Sequence, residues 1–199
     1  SDTVTHTFYI YARSTGIPLS IQFLDTNQNL VYERKLETTE NWRKYEFQVP
    51  KLNYNSLYIY FAISDIGTML IDESSLMPDN NEYGIRAEYA DIFRKWKPSV
   101  MRFPGGSFVS NIGGVWWTGI DSLDKRRSPL KYGPLVVNQR MDMGFLEYIN
   151  FCEHFNINPY IVAAYLRHTV QDHLNFLEFL MGDSTTEFGA MRAKFGRAK

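Results

Sequence analysis

The residues best placed to do chemistry gather around one turn, Arg102-Phe103-Pro104-Gly105-Gly106-Ser107. Val100 to Phe103 is a short apolar run that reads as a buried strand, and Pro104 fixes φ and ends its ladder. Gly105 and Gly106 permit positive φ and a close approach of backbone to ligand. A loop of this kind, at the C-terminal end of a strand, is where a βα barrel keeps its chemistry. The same residues also make a plain tight turn after a core strand, which is the commoner use of Pro-Gly-Gly. Arg102 reads as structuring the strand end by pairing with a buried carboxylate. Downstream, Trp116 and Trp117 offer flat rings that stack a sugar or plug the core.

No other cluster has the spacing of a site. His168 and His173 stand five apart and share a helical face poorly, so with His154 they read as solvated or loop histidines, and no metal is expected. Asp72 and Glu73 end a strand, Asp121 and Asp124 sit in a long loop, and Glu147, Glu153 and Glu178 fall on solvent-facing helix positions. No pair of them forms an acid and base, so no catalytic residue is assigned. There is no Gly-rich phosphate loop before a helix and no nucleophile elbow, and no cofactor is expected. The one cysteine, Cys152, excludes an internal disulfide and reads as a small buried hydrophobe.

Composition narrows the partners. Lysine and arginine total 21 against 22 acidic residues, a net charge of −1 with the charges scattered. A nucleic-acid partner would need a basic face, and Lys125-Arg126-Arg127 is too short to make one. No apolar run has membrane length, so no membrane partner is expected. At 44% hydrophobic residues the chain can bury a core, and its aromatics suit either that core or sugar stacking.

The elements that carry these residues change character once. Residues 1–78 are β-patterned: Phe8, Ile10 and Ala12 alternate with Tyr9, Tyr11 and Arg13, and Leu19, Ile21 and Phe23 alternate with polar neighbours. Tyr45 to Val49, Leu57 to Ile63 and Thr68 to Asp72 complete the set, with turn signals between the runs. Short strands at this spacing predict an antiparallel sandwich or jelly roll. Tyr9, Tyr11, Tyr58 and Tyr60 form either an exposed platform on one sheet face or, as favoured here, an inward-packed set. Residues 79–199 switch to a helical period. Ile85, Tyr89, Ile92, Phe93 and Trp96 mark one helix, Leu146, Ile149, Cys152 and Phe155 a second, and Val170, Leu174, Leu177 and Met181 a third ended by Gly182. Buried strands at 100–103 and 159–164 alternate with these helices, which is the grammar of a parallel sheet. A complete (β/α)8 barrel takes about 250 residues. Only 121 remain after residue 78, so this part is an incomplete barrel or a small open sheet.

Thr7 to Ser14, Trp42-Arg43-Lys44-Tyr45, Ile71 to Pro78, Arg102 to Gly106 and Gly182 to Gly196 occur in an order that resembles a known family. It is that of the retaining α-L-arabinofuranosidases among glycoside hydrolases, in which a carbohydrate-binding-like jelly roll is inserted near the start of a (β/α)8 TIM barrel. The resemblance implies a β-sandwich at 1–78 lacking its first strands, then the N-terminal part of a catalytic barrel at 79–199. It also implies release of terminal arabinofuranosyl residues from plant arabinan or arabinoxylan. The retaining mechanism uses two carboxyl groups roughly 5–5.5 Å apart. Both family glutamates would lie beyond this chain, leaving it inactive alone. Gly105, Gly106 and Ser107 would form part of the sugar cradle, with Trp116 and Trp117 as a stacking wall. Ser107 stands where the family commonly has Asn or Cys, Ser110-Asn111 where it has Glu-Gly, and Ala163-Ala164-Tyr165 where it has a polar strand tail.

The alternatives are a non-catalytic carbohydrate-binding module with a remnant barrel, or an interaction protein. The implied partner is an arabinose-containing carbohydrate. Exposed strand edges of an open barrel would favour a homo-oligomer. Plant-polymer degradation implies a secreted or periplasmic protein, with any signal peptide upstream of Ser1; a chain opening at Ser1-Asp2 without Met reads as a mature or excised piece.

Overall fold

The alternation of the first strands is borne by two facing sheets. In a computed structural model that describes residues 4–105, 116–126, 143–163 and 168–198, the chain divides into two units, Ser1–Ala90 and Asp91–Lys199. The first carries β1 (His6–Ser14), β2 (Leu19–Leu24), β3 (Leu30–Leu36), β4 (Arg43–Val49), β5 (Tyr58–Ile63) and β6 (Met69–Pro78). They form two antiparallel three-stranded sheets, β4-β1-β6 and β3-β2-β5. Phe8, Ile10 and Ala12 from β1 meet Leu19, Ile21 and Phe23 from β2 in one buried cluster, closed by Phe47 and Val49. Phe8 is its hub, with ring centroids 5.2 Å from Phe47 and 6.3 Å from Phe23.

β3 has no counterpart in the sequence reading. Its Glu33-Arg34-Lys35 centre hides the alternation, as charged residues on an edge strand do. It is the hairpin partner of β2, joined through a turn in which the Asp25 carboxylate accepts from the Asn27 and Asn29 amides at 2.8 and 2.9 Å. Register also corrects the tyrosines. Ile59, Phe61 and Ile63 of β5 pair with Phe23, Ile21 and Leu19, so they take the inner face and turn Tyr58 and Tyr60 outward. Tyr9 and Tyr11 belong to the other sheet, on β1, where Phe8, Ile10 and Ala12 hold the inner face.

The sandwich is open along one side. β5 and β6 each form one edge of their sheets, opposite β3 and β4, and their inner-face residues Ile59, Phe61, Ile63, Ile71 and Leu76 are 37–43% exposed. Their register partners Leu19, Ile21, Phe23, Ala12 and Phe8 are at most 2% exposed.

The helix α1 (Ala87–Trp96) spans the division between the units. Its predicted apolar face is largely exposed at Tyr89, Ile92 and Trp96, while Phe93 packs edge-on against Phe151 at 4.9 Å. The second unit then runs β7 (Val100–Phe103), α2 (Phe145–Phe155), β8 (Asn158–Ile161), α3 (Val170–Met181) and α4 (Glu187–Lys194). β7 and β8 pair in parallel, from Val100 opposite Asn158 to Phe103 opposite Ile161, with α2 in the connection. Among the described residues the sheet of the second unit has these two strands, and the expected barrel is not visible. The buried Tyr148 of α2 ties both strands: its hydroxyl donates to the Met101 carbonyl and accepts from the Tyr160 amide at 3.0 Å. Beside it Cys152 is buried, as its helical position predicts, and burial raises its thiol pKa.

α3 buries the stripe that the sequence reading did not choose. Val170, Leu174, Leu177 and Met181 are exposed, whereas Phe176 and Phe179 lie in a cluster with Trp116, Ile120, Phe145 and Leu146. The helix carries two apolar stripes, and the aromatic one finds rings to pack on: Trp116 lies 5.4 Å from Phe176 and 5.2 Å from Phe179.

Candidate functional site

The chain leaves β7 at Phe103 and β8 at Ile161 on the same side of the parallel pair, the side where such folds assemble sites. Gly105 is exposed there, and a Cβ added to it would meet nothing within 4 Å. Gly106 and Ser107 lie outside the described residues. Arg102 is exposed and has no described carboxylate partner, so the predicted strand-end ion pair is not found.

The adjacent tryptophans separate into two roles. Trp116 is 2% exposed, stacks on Phe176 and donates its indole N–H to the Asp172 carbonyl at 3.2 Å. A ring enclosed in this way belongs to the core and has no face left for a sugar. Trp117 is 41% exposed and stands edge-to-face on Trp116 at 5.6 Å, so of the two it is the one with surface to offer.

Three contacts hold this segment down. The buried Arg126 donates from Nε to the Asp121 carbonyl and from Nη2 to Glu147, both at 2.6 Å. The other oxygen of Glu147 accepts the Gly144 amide at 2.9 Å, capping α2. Gly144 lies so close to the preceding turn that a Cβ on it would sit 1.8 Å from the Gly119 carbonyl.

His168 is more enclosed than the sequence reading implied. Expected as a solvated or loop histidine, it does lie in a loop but is only 9% exposed, its ring 5.5 Å from Trp117 and 5.4 Å from His173. Neither ring nitrogen has a hydrogen-bond partner among the described residues. Burial lowers its pKa, the nearby His173 adds to the shift and Asp172 opposes it, so the imidazole is held neutral. The only sequence signal was its place just before a capped helix. Thr169 caps α3 by accepting the Asp172 amide at 3.2 Å, and Asp172 accepts the Thr169 amide at 2.8 Å in return.

The helical carboxylates serve the fold. Glu147 pairs with Arg126, Glu153 with Arg197, and Glu178 accepts the Phe188 amide at 2.9 Å. Among the described residues no three His, Cys, Asp or Glu side chains are arranged to hold a metal ion. The described residues of the predicted site are thus an exposed turn at Gly105 and an exposed indole at Trp117, with the His168 ring buried against that indole.

Comparison with known proteins sets this geometry in context. Residues 92–199, just over half the chain, match the model of the alpha-L-arabinofuranosidase 1 domain. An extracellular exo-alpha-L-arabinofuranosidase of Streptomyces chartreusis is 24% identical, over 96% of this chain and 27% of its own length. An intracellular exo-alpha-L-arabinofuranosidase of Bacteroides ovatus is 23% identical, over 91% of this chain and 34% of its own. Among solved structures, the arabinose-bound MgGH51 α-L-arabinofuranosidase superposes with a TM-score of 0.81 at 21% identity, over 99% of this chain and 37% of that one. The chain thus spans about a third or less of the curated relatives it matches, and those relatives work both outside and inside cells. On the family match over its second unit, the chain belongs to the alpha-L-arabinofuranosidase family.

Proposed function

We propose that the chain is the N-terminal portion of a retaining glycoside hydrolase that releases terminal arabinofuranosyl groups from plant polysaccharide, and that it acts outside the cytoplasm. The observation that carries this reading is the parallel β7–α2–β8 unit lying inside the residues that match the family model. In this reading residues 79–199 are the first part of a (β/α)8 barrel, and residues 1–78 are a jelly roll short of its first strands. The open β5–β6 side supports the second statement, because two unpaired edges with exposed inner faces are seats for further strands. The exposed stripe of α3 supports the first, since a neighbouring barrel element would cover it.

The sugar cradle is then Gly105, Gly106, Ser107 and Trp117, with Trp116 fixing the position of Trp117. A retaining mechanism requires two carboxyl groups facing each other across the glycosidic bond. Glu147, Glu153 and Glu178 are engaged in contacts that hold the fold, and following the family resemblance the acid/base and the nucleophile are assigned to polypeptide beyond this chain. The test is hydrolysis of p-nitrophenyl α-L-arabinofuranoside. The 199-residue chain is expected to give no turnover, and a longer polypeptide carrying both carboxylates to give saturable hydrolysis. Turnover by the pure 199-residue chain, or none by the longer one, overturns the reading.

A further inference from the structure

Trp117 is the exposed ring of the candidate site, and two rings of different chemistry support it. One is Trp116, edge-on at 5.6 Å and 85°. That ring is fixed: it stacks on Phe176 at 17°, and its indole N–H is tied to the Asp172 carbonyl. The other is His168, whose ring lies 5.5 Å from the Trp117 ring and only 31° from its plane. The exposed indole thus rests on one apolar support and on one that can take a proton.

The imidazole is poorly placed to carry a charge. It is buried, and neither ring nitrogen has a hydrogen-bond partner among the described residues. The titratable groups facing it from α3 are His173 and Asp172. The His173 ring stands 5.4 Å away at 79°, with its Nδ1 2.9 Å from the Thr169 carbonyl, and it disfavours a second positive charge. Asp172 favours one, but its Oδ2 already accepts the Thr169 amide and hydroxyl, each at 2.8 Å. The segment of Trp117 itself, Trp116–Gly119, brings no ionisable group. An indole face attracts a cation but is no substitute for an oxygen acceptor on each N–H. A protonated His168 therefore has to leave the indole to solvate its two N–H groups.

We infer that His168 is the positioning residue of Trp117: the uncharged imidazole is the shelf on which the exposed indole lies, and protonation of the ring withdraws that shelf. The indole then keeps one orientation only while His168 is neutral. That a sugar meets this orientation rests on the proposed reading of Trp117 as a wall of the arabinofuranosyl cradle; the shelf itself does not.

Fluorine NMR of the whole chain labelled with fluorotryptophan tests the shelf. The chain has four tryptophans, and Trp117→Phe identifies the resonance. Between pH 7.5 and pH 4.5 that resonance is expected to move, with a midpoint below the ordinary histidine range. In His168→Phe, which keeps a flat ring, it should not move. In His173→Gln the midpoint should rise, because the opposing charge is gone. Variants are compared where circular dichroism shows them folded; if His168→Phe does not fold, His168→Gln, which also cannot titrate, carries the test. A Trp117 resonance that ignores pH in the wild type, or that moves equally in the His168 variant, overturns the inference. The consequence for sugar is read separately, in a longer polypeptide carrying both carboxylates. From pH 7.5 to pH 4.5 its KM for p-nitrophenyl α-L-arabinofuranoside should rise about three- to tenfold more in the wild type than in His168→Phe. An equal KM rise beside a moving resonance would overturn Trp117 as a sugar wall and leave the shelf standing. Absence of turnover would overturn the hydrolase reading alone.

Discussion

Histidine 168 shows how one side chain can set a pH limit on a structure. A neutral imidazole fits beneath Trp117, and charging it there would remove a cation from water with no described hydrogen-bond partner to replace the lost solvation. Its folded pKa therefore lies below the ordinary 6.5, with burial as the main cause. The unfolded chain binds the proton more tightly than the folded one. The stability that neutral His168 contributes is fully present above the unfolded value and is lost as pH falls through it toward the folded value. Melting of the second unit is accordingly expected at lower temperature at pH 5 than at pH 7.5. His168→Phe, which keeps a flat ring and removes the titration, should flatten that dependence. An equal slope in the variant would assign the effect to other groups.

Elements in the second unit are joined by backbone geometry that allows little substitution. Residues 182–186 connect α3 to α4, Gly189 lies in the first turn of α4, and the residue types follow from the bonds made there. The Asp183 carboxylate accepts the Thr185 amide at 2.9 Å, and the Asp183 carbonyl accepts the Thr186 amide at 3.0 Å. Thr186 then caps α4 by accepting the Gly189 amide at 3.3 Å. The buried Arg192 reaches back to donate to the Phe179 and Gly182 carbonyls, each at 2.6 Å. A Cβ on residue 189 would lie 2.0 Å from the Asp183 carbonyl oxygen, which is backbone and cannot swing aside. Gly189→Ala should cost about 1–3 kcal/mol. A thermal melt should show a loss of roughly 4–8 °C per kcal/mol for a unit of this size. A variant melting within a degree of the wild type would mean that the connection can shift.

At the scale of the molecule, the exposed apolar surface is organised. One set runs along the open side of the sandwich, on Ile59, Phe61, Ile63, Ile71 and Leu76, next to the unpaired edges of β5 and β6. Unpaired edges with apolar side chains pair with other copies unless something covers them. The 199-residue chain is therefore expected to self-associate as its concentration rises, seen by sizing with light scattering. Phe61→Glu, which places a charge on the inner face of β5, should shift it toward monomer. A monomer at every concentration would show that this side closes without a partner.

Much of this was legible in the residues alone, because periodicity is local. Alternation in β1 and β2 assigned their inner faces, and the apolar runs at 100–103 and 159–164 with a helix between them implied the parallel pair, though the second strand ends at Ile161. The order of short motifs pointed to the family that residues 92–199 match. Tertiary structure decided what periodicity leaves open, namely which of two possible faces finds a partner. α3 offered two apolar stripes, and the rings of Trp116 and Phe145 selected the one bearing Phe176 and Phe179. The same packing buried Trp116 and left Trp117 outside, although the two residues are chemically identical and adjacent. Pairing of β5 with β2 turned Tyr58 and Tyr60 outward, and pairing with β2 made a strand of the charged β3. Burial is a property of contacts between residues far apart in the chain, and the sequence by itself determines the candidates for those contacts without their partners.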